Sequence, residues 1–189
     1  MDGATFLGRQ ARAIRDKGLA PSSVHVPTFH APMITVDTRI ERALHLPVSV
    51  EDAWAFLIDV PRWGVLYPHV ASFQPLPEAG DIAYEWTMEP LGPPGVRVVV
   101  EYACRYHPDP ETRTMRWEPI PGTGNAQFGG LCTIGSDGSG GTTGSLRVDA
   151  VLGIAAPRLF RAIVRPTVEF EMGRMTDLFV ERLVAEAEL

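Results

Sequence analysis

The sequence is poor in lysine, in clustered positive charge and in long apolar runs. Only one of its 17 basic residues, Lys17, is a lysine, and the net charge is −6. The arginines are spread singly along the chain, which argues against nucleic acid as a partner. No apolar run approaches the roughly 20 residues that cross a bilayer; the longest, Ala150 to Ala156, is interrupted by Gly153. We therefore expect a soluble protein without an integral membrane span.

Cysteine is also scarce, and the N-terminus lacks the basic and apolar regions of a secretory signal. The two cysteines, Cys104 and Cys132, both lie in apolar, strand-like segments. This context predicts two small buried side chains in a reducing compartment rather than a disulfide. We therefore expect a cytoplasmic protein.

Motifs that carry catalysis, or that bind metals or nucleotides, are missing as well. His25 and His30 have no cysteine or carboxylate at metal-ligand spacing. His69 follows Pro68 in a predicted loop, where it either contacts a ligand or faces solvent. The glycine-rich segments 122–130 and 135–144 match no phosphate-binding or nucleophile pattern. We expect no metal, no cofactor and no catalytic residue.

The chain divides into an appendage and one domain. Residues 1–33 combine a short predicted helix, to about Gly18, with a linker that contains Pro21, Pro27 and Pro32. Segment 4–19 is basic and weakly amphipathic, which fits a solvent-facing helix, a transit peptide or a membrane-surface helix. Residues 34–189 have the composition and length of a single globular domain.

The domain has the alternation of an α+β protein. Residues 36–46 alternate apolar and polar side chains, as in a half-buried strand. Ser49 is predicted to cap a helix that Pro61 stops, and a second helical turn covers 62–67. Further strands are predicted at 82–88, 96–106, 112–118, 125–134 and 145–153, with a turn at His107 to Pro110.

One long helix is predicted over 157–187. Its apolar residues recur every three or four positions and form one stripe, and Pro166 is expected to kink it. The stripe contains Phe160, Val164, Val168, Met172, Met175, Phe179 and Leu183.

The apolar faces of the sheet and of this helix must cover each other. A bent sheet is not filled by a single helix, so the pattern predicts an apolar pocket between them, with solid packing as the alternative. The predicted ligand-binding residues are Tyr84, Trp86, Met88, Val100, Tyr102, Met115, Trp117, Phe128, Val168, Met172, Met175 and the charged Arg42. Alternation places Arg42 on the inward face, where it either binds an anionic ligand group or extends to solvent.

Two segments carry a family resemblance: Leu46-Pro47-Val48-Ser49-Val50-Glu51-Asp52-Ala53-Trp54-Ala55-Phe56-Leu57 and Asp59-Val60-Pro61-Arg62-Trp63-Gly64-Val65-Leu66-Tyr67-Pro68-His69-Val70. Here the chain resembles the START-like (SRPBCC, Bet v 1-like) superfamily, in particular polyketide cyclase/dehydrase and coenzyme Q-binding-like members. The resemblance implies a helix-grip fold: a curved antiparallel sheet of six to seven strands around a long C-terminal helix, with two short helices after the first strand.

The pocket and the resemblance together predict the non-catalytic binding or transport of a hydrophobic small molecule, such as a lipid, a quinone or a polyketide-like compound. One alternative is a polyketide cyclase, aromatase or dehydratase. Another is a module that docks a protein or a membrane surface through its helices. The protein is expected to be a monomer or a homodimer.

Overall fold

The computed structural model describes residues 33–80, 82–91 and 97–187. These residues form seven strands and three α-helices, which confirms the α+β prediction. In chain order they are β1 (Met33–Leu46), α1 (Val50–Ile58), α2 (Val60–Gly64), β2 (Val70–Pro75), β3 (Ala83–Met88), β4 (Glu101–Asp109), β5 (Thr114–Pro119), β6 (Ala126–Ser136), β7 (Thr142–Ala155) and α3 (Arg161–Ala187). Apart from Met33, which begins β1, the predicted appendage lies outside the described residues.

The strands form one curved antiparallel sheet in the order β1-β7-β6-β5-β4-β3-β2. β1 pairs with β7 along its full length, from Met33 opposite Ala155 to Leu46 opposite Thr142. Alternate side chains of each strand point to one face, where the buried residues of α1, α2 and α3 join those of the sheet in one core. The predicted helix-grip architecture is confirmed.

The connection between β1 and β2 follows from two capping residues. The Ser49 hydroxyl accepts a hydrogen bond from the backbone N–H of Asp52 (3.2 Å) and starts α1. α1 ends at Ile58, and the Asp59 carboxylate accepts a hydrogen bond from the Arg62 N–H (3.3 Å) at the start of α2. Pro61 therefore lies in the first turn of α2, where its missing N–H costs nothing, instead of stopping α1 as predicted.

One strand and two strand boundaries differ most from the prediction. β2 was not predicted, since it is a short edge strand that contains Pro75 and a register shift between Val70 and Ser72. The turn predicted at His107 is wrong, because β4 continues to Asp109 and pairs with β5. The strand predicted to begin at residue 96 begins only at Glu101, after an isolated bridge between Leu91 and Val98.

α3 has two halves with different surroundings. It begins at Arg161 instead of residue 157, and Phe160 lies in a preceding 3-10 turn. Pro166 lies inside the helix, five residues after its start. From Met172 onward the predicted stripe is buried against the sheet. Before Met172, Val164 and Val168 are only half-buried, and this half of the helix covers a cavity.

Candidate ligand-binding site

The inner face of the sheet carries a continuous group of aromatic rings. Trp86 on β3 stacks on Tyr102 of β4, with ring centroids 5.8 Å apart and planes within 6°. Tyr102 contacts Phe128 of β6 at 4.2 Å between centroids. Phe179 of α3 approaches Tyr67 at 5.1 Å. Phe179 of α3 and the rings of the sheet therefore belong to the same hydrophobic core.

A small apolar cavity of about 70 Å³ lies among these rings, and we call it the inner cavity. An apolar cavity of about 150 Å³ is known to bind benzene, and the inner cavity has about half that volume, which suits a functional group better than a ring. Its lining consists of Leu44, Leu57, Trp63, Tyr67, Trp86, Tyr102, Cys104, Tyr106, Met115, Trp117, Phe128, Cys132, Leu146, Val148, Phe179 and Leu183.

A larger cavity of about 300 Å³ lies under the N-terminal half of α3, and we call it the outer cavity. This volume is at the lower end of the range of small-molecule sites, about 300–1,000 Å³. Ile163 belongs to its lining and is 64% exposed, so the cavity opens to solvent beside the helix. The lining consists of Leu91, Val98, Val100, Leu152, Ile154, Ala156, Phe160, Ile163, Val164, Thr167, Val168, Glu171, Met172 and Met175.

A gap of about 20 Å³ lies between the two cavities, and we call it the junction. Its lining shares Tyr102 and Phe128 with the inner cavity, and Met172 and Met175 with the outer cavity. Methionine has three rotatable side-chain bonds and adapts easily to a new neighbour. Met172 and Met175 therefore lie where a change of side-chain rotamer would alter the separation between the outer and the inner cavity.

The polar groups of the inner cavity are uncharged donors. Burial raises the pKa of Tyr67 to about 12 and the pKa values of Tyr102 and Tyr106 well above the ordinary value of 10.0. These phenols therefore remain protonated at neutral pH. The indole N–H of Trp63 donates to the Leu57 carbonyl (2.9 Å), whereas that of Trp86 has no partner among the described residues.

The two thiols of the inner cavity are also held neutral. Burial raises the pKa of Cys132 to about 12 and raises the pKa of Cys104 as well. The Cys104 thiol donates to the Phe128 carbonyl at 3.2 Å. Thiolates are the reactive form of cysteine, so neither residue is prepared for nucleophilic chemistry.

The outer cavity has two polar residues in its described lining, and both are already engaged. The Thr167 hydroxyl donates to the Ile163 carbonyl at 2.8 Å. The Glu171 carboxylate accepts hydrogen bonds from Nε (3.0 Å) and a terminal nitrogen (2.7 Å) of Arg174. Residues 33–80, 82–91 and 97–187 contain no group of three or more His, Cys, Asp or Glu residues that could hold a metal ion.

The structure brings most of the predicted ligand-binding residues to the cavities. Met88 lines the junction. Trp86, Tyr102, Met115, Trp117 and Phe128 line the inner cavity, and Val100, Val168, Met172 and Met175 line the outer cavity. Tyr84 lies on the same face but outside all of these linings, stacked on Phe73 with centroids 4.5 Å apart.

Arg42 lies outside these three apolar cavities and lines a separate polar cleft of about 400 Å³ between β1 and α3. Its guanidinium forms an ion pair with Asp177 of α3, and one terminal nitrogen donates to that carboxylate at 3.2 Å. Alternation placed Arg42 correctly on the inward series of β1, at the edge of the sheet. Its ligand-binding role stays a prediction, and it lines neither the inner nor the outer cavity.

His69 and Tyr67 differ in their relation to the cavities. His69 contacts Glu89 (Nδ1 to Oε2, 3.1 Å) and lines none of the three cavities. Tyr67 lines both the inner cavity and the junction but was not predicted, because it follows α2 in a short connection without periodicity. Leu152 and Ile154, at the C-terminal end of β7, line the outer cavity and were not predicted either.

Comparison with known proteins identifies the family. Residues 34–188 match the model of the family described as polyketide cyclase/dehydrase and lipid transport, so the chain belongs to this family. A search of curated proteins gave no match. Among the described residues, no helix is both long enough and apolar enough to cross a bilayer.

Solved structures show the same START-like fold at low identity. The Zhui aromatase/cyclase from Streptomyces sp. R1128 has a TM-score of 0.61 at 16% identity, over 80% of this chain and 94% of that one. A START superfamily protein from Mycobacterium smegmatis has a TM-score of 0.58 at 11% identity, over 79% and 97%. Norcoclaurine synthase from Thalictrum flavum has a TM-score of 0.50 at 17% identity, over 82% and 99%.

Proposed function

We propose that this chain binds and carries a neutral hydrophobic small molecule, such as a lipid, a quinone or a polyketide-like compound. The outer cavity is the observation that carries this proposal. It has a ligand-sized volume, a mouth beside α3 and an apolar lining whose polar groups are already hydrogen-bonded. Burial of each 100 Å² of apolar ligand surface there contributes about 2.5 kcal/mol.

Binding without catalysis is supported by the titratable groups of the linings. General acid–base catalysis works best with a group whose pKa lies near the operating pH. The phenols and thiols of the inner cavity have raised pKa values, and Glu171 is paired with Arg174. The free thiols Cys104 and Cys132 also support a cytoplasmic location.

Filling the outer cavity is the direct test. Val168→Trp places an indole in the cavity and should lower the affinity for the neutral fluorescent probe N-phenyl-1-naphthylamine at least tenfold. Val151→Trp is the matched control, because Val151 is 37% exposed on β7 and lies outside the lining. Equal probe affinity in both variants would overturn the proposal. Native mass spectrometry of freshly purified protein should also show a copurifying ligand that Val168→Trp lacks.

A second candidate is a cyclase or dehydratase that acts on a polyketide. Membership of the family and the buried phenols Tyr67, Tyr102 and Tyr106 favour it, since a phenol can donate a proton or a hydrogen bond to a ketone oxygen. Tyr102→Phe separates the two functions. It should abolish turnover of a poly-β-ketone if the protein is an enzyme, and change only affinity if the protein is a carrier.

A third candidate is a docking module, favoured by exposed apolar residues just before α3 and in its N-terminal half. Leu159 is 77% exposed and Phe170 is 68% exposed. Phe170 does not line the outer cavity, so Phe170→Glu tests docking without altering that lining. Loss of self-association or of liposome binding in this variant would support the docking function, and unchanged behaviour would weaken it.

A further inference from the structure

The indole N–H of Trp86 is a buried donor without a partner. Trp86 is 2% exposed, lines the inner cavity and has no hydrogen bond to any described residue. Native proteins satisfy nearly all buried polar groups, because an unpaired buried donor has lost its hydrogen bond to water without replacement. A donor of this kind on a cavity wall is therefore prepared for an acceptor that enters the cavity.

Trp63 supplies an internal comparison on the same wall. It also lines the inner cavity, but its indole N–H donates to the Leu57 carbonyl at 2.9 Å. The Trp63 N–H thus has a hydrogen-bond acceptor within the fold, whereas the Trp86 N–H has none among the described residues. The Tyr106 hydroxyl is a second polar group close to Trp86, but it lies outside hydrogen-bond geometry with the Trp86 N–H, and burial raises its pKa.

The sizes of the cavities determine how much of a ligand can reach Trp86. At about 70 Å³ the inner cavity suits a hydroxyl or carbonyl group better than a ring. The outer cavity, at about 300 Å³, holds the body of the molecule. The junction lies between them, and Met172 and Met175 belong to its lining.

The charge of the inner cavity determines the kind of head group. Its described lining contains no lysine, arginine or histidine. Its phenols and thiols are neutral, because burial raises their pKa values. A carboxylate or phosphate would lose its hydration there without gaining a counter-charge, which is strongly unfavourable.

We infer that the ligand is a neutral amphiphile whose apolar body fills the outer cavity and whose single hydroxyl or carbonyl oxygen accepts a hydrogen bond from Trp86 Nε1. This inference rests on the proposed function, because it assigns the ligand class of the same site. It separates aliphatic alcohols and ketones from fatty acids and phospholipids.

The test compares three ten-carbon probes by displacement of N-phenyl-1-naphthylamine: decan-1-ol, 1-chlorodecane and decanoate at pH 8. Decanoate should bind at least tenfold more weakly than decan-1-ol. Trp86→Phe should lower the ratio of decan-1-ol to 1-chlorodecane affinity about five- to tenfold, because only the alcohol uses the N–H. Trp63→Phe removes similar volume from the same wall and should weaken both probes without changing their ratio.

A measurement on the unaltered protein makes the test independent of variant folding. In ¹H–¹⁵N spectra, one of the four tryptophan indole signals should move downfield with decan-1-ol and stay in place with 1-chlorodecane. If N-phenyl-1-naphthylamine does not bind, the proposed function itself fails. If it binds, an unmoved indole signal means that only water satisfies the N–H, and this inference alone is overturned. Decanoate binding as tight as that of decan-1-ol would overturn it too.

Discussion

At the scale of single residues, Gly130 leaves the space that the ring of Trp117 occupies in the wall of the inner cavity. It occupies an inward position of β6, opposite Trp117 on β5. A Cβ atom there would lie 2.1 Å from the Trp117 ring and 2.3 Å from the Arg147 carbonyl oxygen. The Trp117 ring therefore occupies its observed position only because Gly130 has no side chain.

Gly130→Ala should lower the free energy of unfolding by about 1–3 kcal/mol, as overpacking of a core does. The added methyl group meets both the ring and the backbone carbonyl of Arg147, which has little freedom to move. Gly129→Ala is the matched control, since its Cβ would have no neighbour closer than 3.5 Å. Urea denaturation should show a clear loss for Gly130→Ala and almost none for Gly129→Ala, and equal midpoints would contradict this role.

Single residues also show what the sequence could not predict. Alternation along β1 predicted that Arg42 is one of the inward-facing residues, and the structure confirms this position. Its partner, Asp177, lies 135 positions later, on a helix whose rotation the sequence pattern does not define. Alternation therefore could not predict the ion pair with Asp177 of α3, and a ligand contact of Arg42 stays a prediction.

At the scale of elements, α3 performs two different tasks along its length. Its C-terminal half, from Met172, buries an apolar stripe against the sheet. Its N-terminal half covers the outer cavity, and Ile163 and Val168 belong to the lining. One continuous amphipathic pattern therefore describes both a packed core and the roof of a binding site.

The ion pair between Arg42 and Asp177 links β1 to α3 and should depend on pH. The Arg42 guanidinium lowers the pKa of Asp177 below its ordinary value of 3.8. Because the folded-state pKa is lowered, the stabilisation is present above pH 4 and is lost as the pH falls through the lowered value. The carboxylate is 52% exposed, so the coupling should not exceed about 1 kcal/mol.

A double-mutant cycle with Arg42→Met and Asp177→Asn measures this coupling by chemical denaturation. We expect a coupling of a few tenths of a kcal/mol at pH 7 that vanishes near pH 2 and weakens in 1 M salt. A coupling that persists near pH 2 would contradict the assignment to an ion pair.

The elements that were predicted correctly have strong periodicity. β1, β6, β7 and α3 are long, and their apolar residues recur at the spacing of a strand or a helix over many positions. β2 has only six residues, among them Ser72 and Pro75, so its hydrophobic pattern cannot be distinguished from that of a loop. It is held by pairing with β3, which is a tertiary interaction.

At the scale of the whole molecule, the packed core and the outer cavity are adjacent parts of one interior and share residues such as Met172 and Met175. The prediction that one helix does not fill the curve of the sheet agrees with the outer cavity of about 300 Å³. The division into an inner and an outer cavity could not be predicted. It depends on how Tyr102 and Phe128 meet Met172 and Met175, which is a matter of side-chain packing.

Ligand binding should stabilise the whole domain through mass action. At a hundredfold excess over its Kd, a ligand adds about 2.7 kcal/mol to the free energy of unfolding. For a domain of this size the melting temperature should then rise by about 5–10 °C. Thermal scans with decan-1-ol should show this rise for the unaltered protein and for Val151→Trp. Val168→Trp should show none, and an equal rise in all three would place the ligand elsewhere.

The complete pairing of β1 with β7 has a consequence for biosynthesis. The first described strand lies beside the last, so Met33 meets Ala155 only after more than a hundred intervening residues have been synthesised. Until then the nascent β1 exposes its apolar residues and an unpaired edge, a state that favours aggregation. β1 can pair only after the residues up to Ala155 have left the ribosome, so the sheet is completed late and chaperones have a long interval in which to act.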